Sequence, residues 1–188
     1  MIYVFLADGF EECEAVAPID MLRRAGLDVK TVKVGASYLK VISSHNIEMM
    51  ADIHGNDIDL EKLPGLEMIV LPGGATGVEN LYNSDIVKRI IFSCVGKKIK
   101  IGAICAAPSI LARMGYLKNI RATAHPSFRH YLTDTNNGAI LDEKQKVITD
   151  SIFTTAAGAG VSIEFGLELV RVLKGEEEAN KIAEQILF

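Results

Sequence analysis

The sequence predicts an α/β fold with a mostly parallel sheet that is covered by helices on both faces. Short, continuously apolar segments alternate with longer segments in which apolar residues recur at helical spacing. Strands that are apolar on both sides are typical of parallel sheets buried between two layers of helices. The 188 residues contain no internal repeat, linker or low-complexity stretch, so we expect one domain over 1–188.

The first half of the chain predicts, in order, a strand over 2–7, a helix over 11–25, a strand over 28–34, an antiparallel excursion over 41–51 and a strand over 66–71. The strands are rich in Val, Ile and Leu, whereas the excursion shows only moderate alternation of apolar and polar residues. The helix has acids at its start and stops at Gly26, as helices commonly do. Pro72 and two glycines close the last of these strands.

The second half predicts a helix over 84–95, a strand over 99–104, a helix over 108–114, strands over 121–124 and 146–149, and helices over 161–173 and 175–187. Asn83 or Ser84 is suited to cap the first of these helices, because a short polar side chain can accept from a free backbone N–H. The last two helices are separated at Gly175, and the final one is strongly charged.

The composition excludes several classes of function. The chain is 49% hydrophobic and 23% charged, with a net charge of −4, which is ordinary for a soluble globular protein. It has no basic stripe for nucleic acid and no apolar run near the ~18 residues that a membrane span needs, so we expect neither partner. Residues 1–7 lack a basic lead and predict a first strand, not a signal peptide.

The three cysteines, Cys13, Cys94 and Cys105, form no C-x-x-C motif, and no cluster of His and Cys has zinc spacing. We therefore expect free thiols, a cytoplasmic location, no metal site and no cofactor. Cys13 stands among carboxylates, which should keep it a thiol, and Cys94 lies on an apolar-periodic helix. Neither should rival Cys105 in reactivity.

Cys105 is the strongest functional candidate. An apolar strand runs into it, and Pro108 opens a helical segment just after it, so the thiol lies at the corner between the two. The free N–H groups and the positive end of the helix dipole at such a corner favour a thiolate, which is a nucleophile and an oxidation target. The local pattern fits a small buried core cysteine equally well.

Other candidate groups follow the strands that should end beside Cys105, where sites in parallel sheets form. Apolar neighbours indicate that Glu14 is buried, which raises a carboxyl pKa and lets the group donate to sulfur or move a proton. Gly73 and Gly74 offer backbone N–H groups for an oxyanion, or form only a tight turn. His125 is a candidate base or a polar loop residue.

Four segments in this order, DGFEECE at 8–14, VLPGG at 70–74, AICAAP at 103–108 and AHP at 124–126, resemble the ThiJ/PfpI superfamily. The most similar branch is that of the Parkinsonism-associated deglycase (DJ-one) and its bacterial relatives. The resemblance implies a flavodoxin-like α/β sandwich and a homodimer to which residues 12–24 contribute.

For the site, the resemblance implies that Cys105 is the reactive, easily oxidised nucleophile on a strained elbow, with Glu14 hydrogen-bonded to its sulfur. It implies that Gly74 and Ala106 offer backbone N–H groups to the oxyanion and that His125 lines the pocket. The implied activity is cofactor-free conversion of small reactive carbonyls, such as methylglyoxal to lactate, in the manner of a glutathione-independent glyoxalase III or a deglycase. Bacterial members often carry an older label of thiazole monophosphate biosynthesis.

Two other functions compete with this one. The first is a redox-sensing stress protein or chaperone that acts through oxidation of Cys105. The second is a PfpI-type cysteine hydrolase or peptidase, which Ala106 disfavours because protease-like members have His at this position. The chain also has His45 and Ala157 where animal members have arginines around an anion-accepting pocket.

Overall fold

The computed structural model describes residues 1–36, 39–59, 65–134 and 138–188. Its strands are β1 (Ile2–Leu6), β2 (Val29–Lys33), β3 (Lys40–Ile42), β4 (Glu48–Met50), β5 (Ile53–His54), β6 (Met68–Leu71), β7 (Lys100–Ile104), β8 (Arg121–Ala122), β9 (Ile140–Leu141), β10 (Val147–Asp150) and β11 (Phe153–Ala156). Its α-helices are α1 (Glu12–Arg24), α2 (Ala75–Tyr82), α3 (Asp85–Lys97), α4 (Pro108–Arg113), α5 (Arg129–Thr133), α6 (Ser162–Lys174) and α7 (Glu176–Gln185).

A seven-stranded sheet in the order β10-β11-β7-β6-β1-β2-β5 forms the centre of the molecule. Every neighbouring pair in it is parallel except β10 with β11 at one edge, which confirms the prediction of a mostly parallel sheet. Strands β3 and β4 pair antiparallel outside this sheet, as the alternation over 41–51 predicts. Strands β8 and β9 form a small separate parallel pair.

The two faces of the sheet carry separate hydrophobic cores. Along β1, Tyr3 and Phe5 belong to the core shared with α3 and α4, whereas Ile2, Val4 and Leu6 belong to the core shared with α1, α6 and α7. Successive side chains of a strand point to opposite faces, so a strand that is apolar throughout must be covered on both sides. The helices therefore lie on both faces, as predicted.

The differences from prediction are short elements with weak patterns, and α2, α5, β5, β9 and β11 are the elements that the sequence does not predict. The sequence Phe-Thr-Thr-Ala of β11 is not strongly apolar, yet all four residues are buried next to β7. Helix α2 follows a glycine without a capping side chain, so it has no start signal. The strand expected over 121–124 is limited to β8, because the chain then turns towards a 3-10 turn at Pro126–Phe128. Within the described residues, no helix has the length and apolar character needed to cross a membrane.

The strand order creates a crevice at the carboxyl ends of β1 and β6. From β1 the chain proceeds to β2 and β5 on one side of the sheet, and then returns to β6, β7 and β11 on the other. The point where the order reverses is where open α/β sheets form their ligand sites.

Helices α1 and α6 cross at very short range, and Gly166 permits this. A Cβ at this position would lie 2.8 Å from Met21 Cγ and 3.0 Å from the Cα of Pro18. A backbone atom cannot move out of the way as a flexible side chain can. The helix that carries Glu14 is therefore seated on α6 through a contact that only glycine allows.

We predict that Gly166→Ala destabilises the protein by about 1–3 kcal/mol, because it overpacks this crossing. Gly96→Ala in α3 is the matched control, since an added Cβ there meets nothing within 4 Å. Alanine favours a helix over glycine by up to about 1 kcal/mol, so the control should be neutral or stabilising. Urea unfolding of both variants measures the difference, and equal midpoints would contradict the close crossing.

Candidate active site

Cys105 lies at a strained corner directly after β7. Its φ is +63°, in the left-handed region that costs a non-glycine residue about 1–2 kcal/mol. Backbone hydrogen bonds hold it there: its N–H donates to the Ala156 carbonyl at 2.8 Å, and its carbonyl accepts from the His125 N–H at 2.9 Å. The predicted corner between strand and helix is therefore present, and it fixes the direction of the thiol.

Glu14 is almost completely buried, with 1% of its surface exposed, and its carboxyl shares a hydrogen bond with the Cys105 thiol. The Gly73 N–H donates to Glu14 Oε2 at 3.0 Å, and the Ala159 N–H also donates to this carboxyl. A buried carboxyl without partners would be very costly, so these donors make its position tolerable. The expectation of a buried Glu14 is confirmed.

Gly73 permits the contact between the two side chains. A Cβ on this residue would lie 2.2 Å from Glu14 Oε2 and 2.7 Å from the Cys105 Cβ. The Gly73 N–H is directed at Glu14, so it cannot also bind an oxyanion at the Cys105 sulfur. The Gly74 N–H is directed at that sulfur instead. The structure thus separates the two predicted glycines by role.

The Gly74 and Ala106 N–H groups are the backbone donors directed at the Cys105 sulfur. Gly74 has a φ of +87° and is the N-cap of α2. A Cβ on it would lie 2.3 Å from the Gly9 carbonyl oxygen, so only glycine fits this turn. Two N–H groups that converge on one atom can stabilise negative charge there.

The segment from Gly158 to Gly160 is a part of the site that sequence reasoning missed. The Ala159 N–H of this segment donates to Glu14. Gly158 is also close to the site, since a Cβ on it would lie 3.6 Å from His125 Cδ2 and 4.0 Å from Glu14 Oε1. The sequence signal was the Gly-Ala-Gly segment after the threonines of β11, but its spacing matched no nucleotide-binding motif.

Burial raises the pKa of the Glu14 carboxyl to about 7, and the nearby charge of Glu11 adds to this rise. Burial also raises the pKa of the Cys105 thiol to about 12, with the Glu14 charge as its second cause. The direction of this shift opposes the predicted thiolate, because a desolvated sulfur beside a carboxylate favours the neutral thiol over the charge that two N–H groups could stabilise. Protonation of Glu14 removes this repulsion, so the two groups titrate as one coupled pair.

His125 lies at the mouth of the site and is exposed. Its Nδ1 accepts from the Ser127 N–H at 3.3 Å, which places the proton of a neutral ring on Nε2. In this tautomer the ring can donate a hydrogen bond from Nε2, but it has no free nitrogen to accept a proton. The geometry therefore favours Glu14 over His125 as the base.

The other cysteines have environments unlike that of Cys105. The charge of Glu11 and burial raise the pKa of the exposed Cys13, and burial raises the pKa of the fully buried Cys94 to about 12. Neither cysteine has the two converging N–H groups that Cys105 has. The raised pKa of Cys13 agrees with the expectation that it stays a thiol, and Cys94 is buried, as its place on an apolar-periodic helix predicts.

Glu11, Glu12 and His45 bring one ligand atom each to within 4.8 Å of one another beside the site. Other contacts already engage all three. Glu11 caps α1 by accepting from the Glu14 N–H at 2.7 Å, and Glu12 pairs with His45 Nδ1 at 2.7 Å. These contacts account for the cluster without an ion, and no metal role is assigned to it.

Glu14→Gln should change how stability depends on pH. The folded protein holds a proton on Glu14 up to about pH 7, whereas the ordinary value is 4.5. This protonation contributes up to about 3 kcal/mol to the free energy of unfolding. The contribution is fully present below about pH 4.5 and is lost as pH rises through about 7. Gln cannot ionise, so the variant should gain stability relative to the wild type between pH 5 and pH 8.

Urea unfolding at several pH values measures this difference, with the exposed Glu184→Gln on α7 as the matched control. The control should follow the wild type at every pH. Parallel curves for Glu14→Gln and the wild type would mean that Glu14 ionises normally despite its burial.

The DJ-1/PfpI family model matches residues 1–172 of the chain. The chain is 34% identical over 187 residues to Protein DJ-1 homolog B of Arabidopsis thaliana, covering 99% of this chain but 41% of that longer protein. It is 28% identical to the Schizosaccharomyces pombe protein named glutathione-independent glyoxalase DJ-1, with 96% of this chain and 95% of that one covered. The solved structure of oxidised Toxoplasma gondii DJ-1 superposes on this chain with a TM-score of 0.90 at 31% sequence identity. The superposition covers 100% of this chain and 97% of that one, and the two share the flavodoxin-like arrangement. The chain therefore belongs to the DJ-1/PfpI family.

Proposed function

We propose that the protein is a cysteine-dependent, cofactor-free enzyme that converts small reactive carbonyls, with methylglyoxal to lactate as the model reaction. One observation carries this proposal: a buried carboxyl with its pKa near 7 shares a hydrogen bond with a thiol, and two N–H groups converge on the same sulfur. A carboxyl with a pKa near neutrality is suited to accept and return protons. The name of the S. pombe relative supports the reaction class.

The first step is addition of sulfur to the aldehyde. Glu14 as a carboxylate accepts the proton of the Cys105 thiol while the sulfur attacks, so no resting thiolate is needed. The aldehyde carbon forms a bond to sulfur, and its oxygen becomes an oxyanion. The Gly74 and Ala106 N–H groups are positioned to stabilise this charge until the proton on Glu14 neutralises it. The product is a hemithioacetal.

The second step moves hydrogen between the two carbons. Glu14, again a carboxylate, removes the proton from the former aldehyde carbon, and the electron pair forms an enediolate with the neighbouring ketone. Return of the proton from Glu14 to the second carbon, with transfer of the hydroxyl proton from the first oxygen to the second, gives a thioester of lactate on Cys105. The first carbon is oxidised and the second is reduced, so the exchange is internal and no outside oxidant or reductant takes part.

Hydrolysis completes the cycle. Water adds to the thioester carbonyl, the sulfur leaves with a proton, and lactate is released. The sum is methylglyoxal plus one water, which is why the reaction balances without a cofactor. His125 at the mouth of the site is suited to donate from Nε2 to a substrate oxygen, because its Nδ1 is already an acceptor.

A redox-sensing role is the second candidate, and the same geometry favours it. Oxygen atoms added to the Cys105 sulfur would meet the Gly74 and Ala106 N–H groups, and Glu14 in its protonated form could donate to them. The solved T. gondii relative is described as oxidised. The raised pKa of the Cys105 thiol disfavours oxidation and unassisted carbonyl attack alike, so the name of the S. pombe relative is what makes this the second candidate.

The test of the enzyme proposal is lactate formation from methylglyoxal without glutathione. Cys105→Ser should lower turnover by at least about 10³-fold, because it removes the nucleophile. Glu14→Gln should lower it by about 10²–10⁴-fold, because it removes the proton carrier. Wild-type kcat/KM should rise with pH through about 7, since only the carboxylate form of Glu14 can accept the thiol proton.

Cys94→Ser is the control for loss of a buried cysteine and should keep full turnover. Turnover that survives Cys105→Ser would contradict the proposal. Absence of wild-type turnover, together with selective gain of two oxygens at Cys105 in dilute peroxide, would favour the redox sensor.

We also propose that the chain forms a homodimer through an apolar groove beside α1. Its exposed apolar members come from several elements: Val16, Ile47, Ile163, Leu187 and Phe188, with exposures of 41% to 95%. Contiguous apolar surface of this kind is typical of a protein interface. A two-fold contact would pair this face with itself, as in most homodimers.

Val16→Asp should convert the dimer to a monomer, because it places a charge in the centre of an apolar interface. Phe92→Asp is the matched control: Phe92 is 71% exposed on α3 and is not part of the groove. Sedimentation equilibrium of the wild type and both variants measures the assembly. A monomeric wild type, or dissociation by the control alone, would contradict this interface.

A further inference from the structure

Arg113, the last residue of α4, links α4 to both α2 and α5. Its guanidinium makes a two-pronged pair with Glu79, at 2.5 Å from Nη1 to Oε1 and 3.3 Å from Nη2 to Oε2. Its Cζ lies 3.4 Å from the ring centroid of Tyr82 and 5.3 Å from that of Tyr131. We call Arg113, Glu79, Tyr82 and Tyr131 the Arg113 clamp.

The Arg113 clamp combines several contacts although it lies near the surface of the protein. The Arg113 side chain is 21% exposed, and its two planar hydrogen bonds and ring contacts use most of the guanidinium. A lysine could pair with Glu79, but it could not form the fork or lie flat on the rings. Tyr131 is supported in turn by stacking on Phe128, with 6.3 Å between ring centroids.

Each element that the clamp joins begins at a group of the candidate site. Gly74 is the N-cap of α2, Cys105 and Ala106 lie in the turn before α4, and His125 is the N-cap of the 3-10 turn that leads into α5. At ~1.5 Å per residue, Arg113 lies only about 10 Å along the chain direction from Ala106. A shift of one helix against another would therefore move the N–H groups around the sulfur.

Hydrogen bonds to the loop after β1 already anchor α2, since the Gly77 N–H donates to the Gly9 carbonyl at 3.1 Å, and the clamp adds a direct contact from α2 to α4. The elbow is tied to β11 and to His125, and the Gly73 carbonyl is tied to the Glu11 N–H at 3.0 Å. The position of α2 relative to α4 sets the angle at which the Gly74 and Ala106 N–H groups converge. The Arg113–Glu79 pair is a direct polar contact between these two helices.

We propose that Arg113 is a positioning residue that holds the Gly74 and Ala106 N–H groups in register around the Cys105 sulfur. The proposal deepens the proposed function, but its main test does not depend on turnover. Charge that develops on the sulfur is stabilised only if both donors keep their direction, so loss of the clamp should slow every reaction in which this sulfur becomes a nucleophile.

The test is the rate of Cys105 alkylation by iodoacetamide as a function of pH, followed on the Cys105 peptide by mass spectrometry. Arg113→Met should react about tenfold more slowly than the wild type, with its pH profile displaced to higher pH. Glu79→Gln, which weakens the clamp from the other side, should act in the same direction. The double variant should be no slower than Arg113→Met, because both changes break one contact. Arg113→Lys should recover only part of the rate.

Arg171→Met is the matched control, since Arg171 also forms a two-pronged pair with a glutamate, Glu168, but on α6 across the sheet. It should alkylate within about twofold of the wild type. Equal slowing by this control would show general loosening and would overturn the proposal, as would an unchanged rate and pH profile in Arg113→Met. If Arg113→Met does not fold, Glu79→Gln decides by the same criteria.

Turnover gives a second, separate readout. If the wild type converts methylglyoxal, Arg113→Met should lower kcat by about tenfold and leave KM nearly unchanged, because the clamp does not touch the substrate. A changed KM at unchanged kcat would overturn a positioning role. If the wild type does not convert methylglyoxal, the proposed function fails while the alkylation rates still decide the role of Arg113.

Discussion

The contact between the Glu14 carboxyl and the Cys105 sulfur is the constraint on which the rest of the site depends. Two groups that can each carry a negative charge lie against one another, the carboxyl buried and the thiol half-buried, which is unfavourable unless a proton stays with the pair. Burial raises the pKa of both groups, so the pair keeps at least one proton near neutral pH. Several features of the surrounding structure make this contact possible.

Several backbone features serve that contact. Gly73 has no side chain because any Cβ would enter the space between carboxyl and sulfur. The strained φ of Cys105 directs the thiol towards Glu14, and neighbouring strands hold the elbow. The parallel sheet brings these groups together from distant parts of the sequence, at the point where the strand order reverses. A proton shared by such a pair can be given up and taken back at little cost, which is the property that carbonyl chemistry needs.

Much of the sheet could be predicted from the sequence because its strands are apolar on both faces, which gives a strong local signal. The corner at Cys105 and the burial of Glu14 were also visible, since each follows from the residues beside it. The elements that the sequence does not predict, α2, α5, β5, β9 and β11, are short or have patterns that become stable only through neighbours distant in sequence. The Ala159 N–H was missed for the same reason: nothing in Gly-Ala-Gly shows that it faces Glu14.

The protonation state could not be read from the sequence at all. A thiol at a helix start suggests a thiolate, but the sign of the shift depends on how dry the pocket is and on what stands opposite the sulfur. The same limit applies to Arg113, whose partners Glu79 and Tyr131 lie 34 and 18 positions away in the sequence. Such contacts are set by the packing of helices, which periodicity does not specify.

The most direct measurement is an NMR titration of the Glu14 side-chain carboxyl in protein labelled with ¹³C at glutamate, with Glu14→Gln to assign the signal. We expect a midpoint near pH 7, because burial holds the proton on Glu14 beside a neutral thiol. A midpoint near the ordinary value of 4.5 would show that Glu14 and Cys105 do not form a coupled pair, and the proposed chemistry would lose its proton carrier.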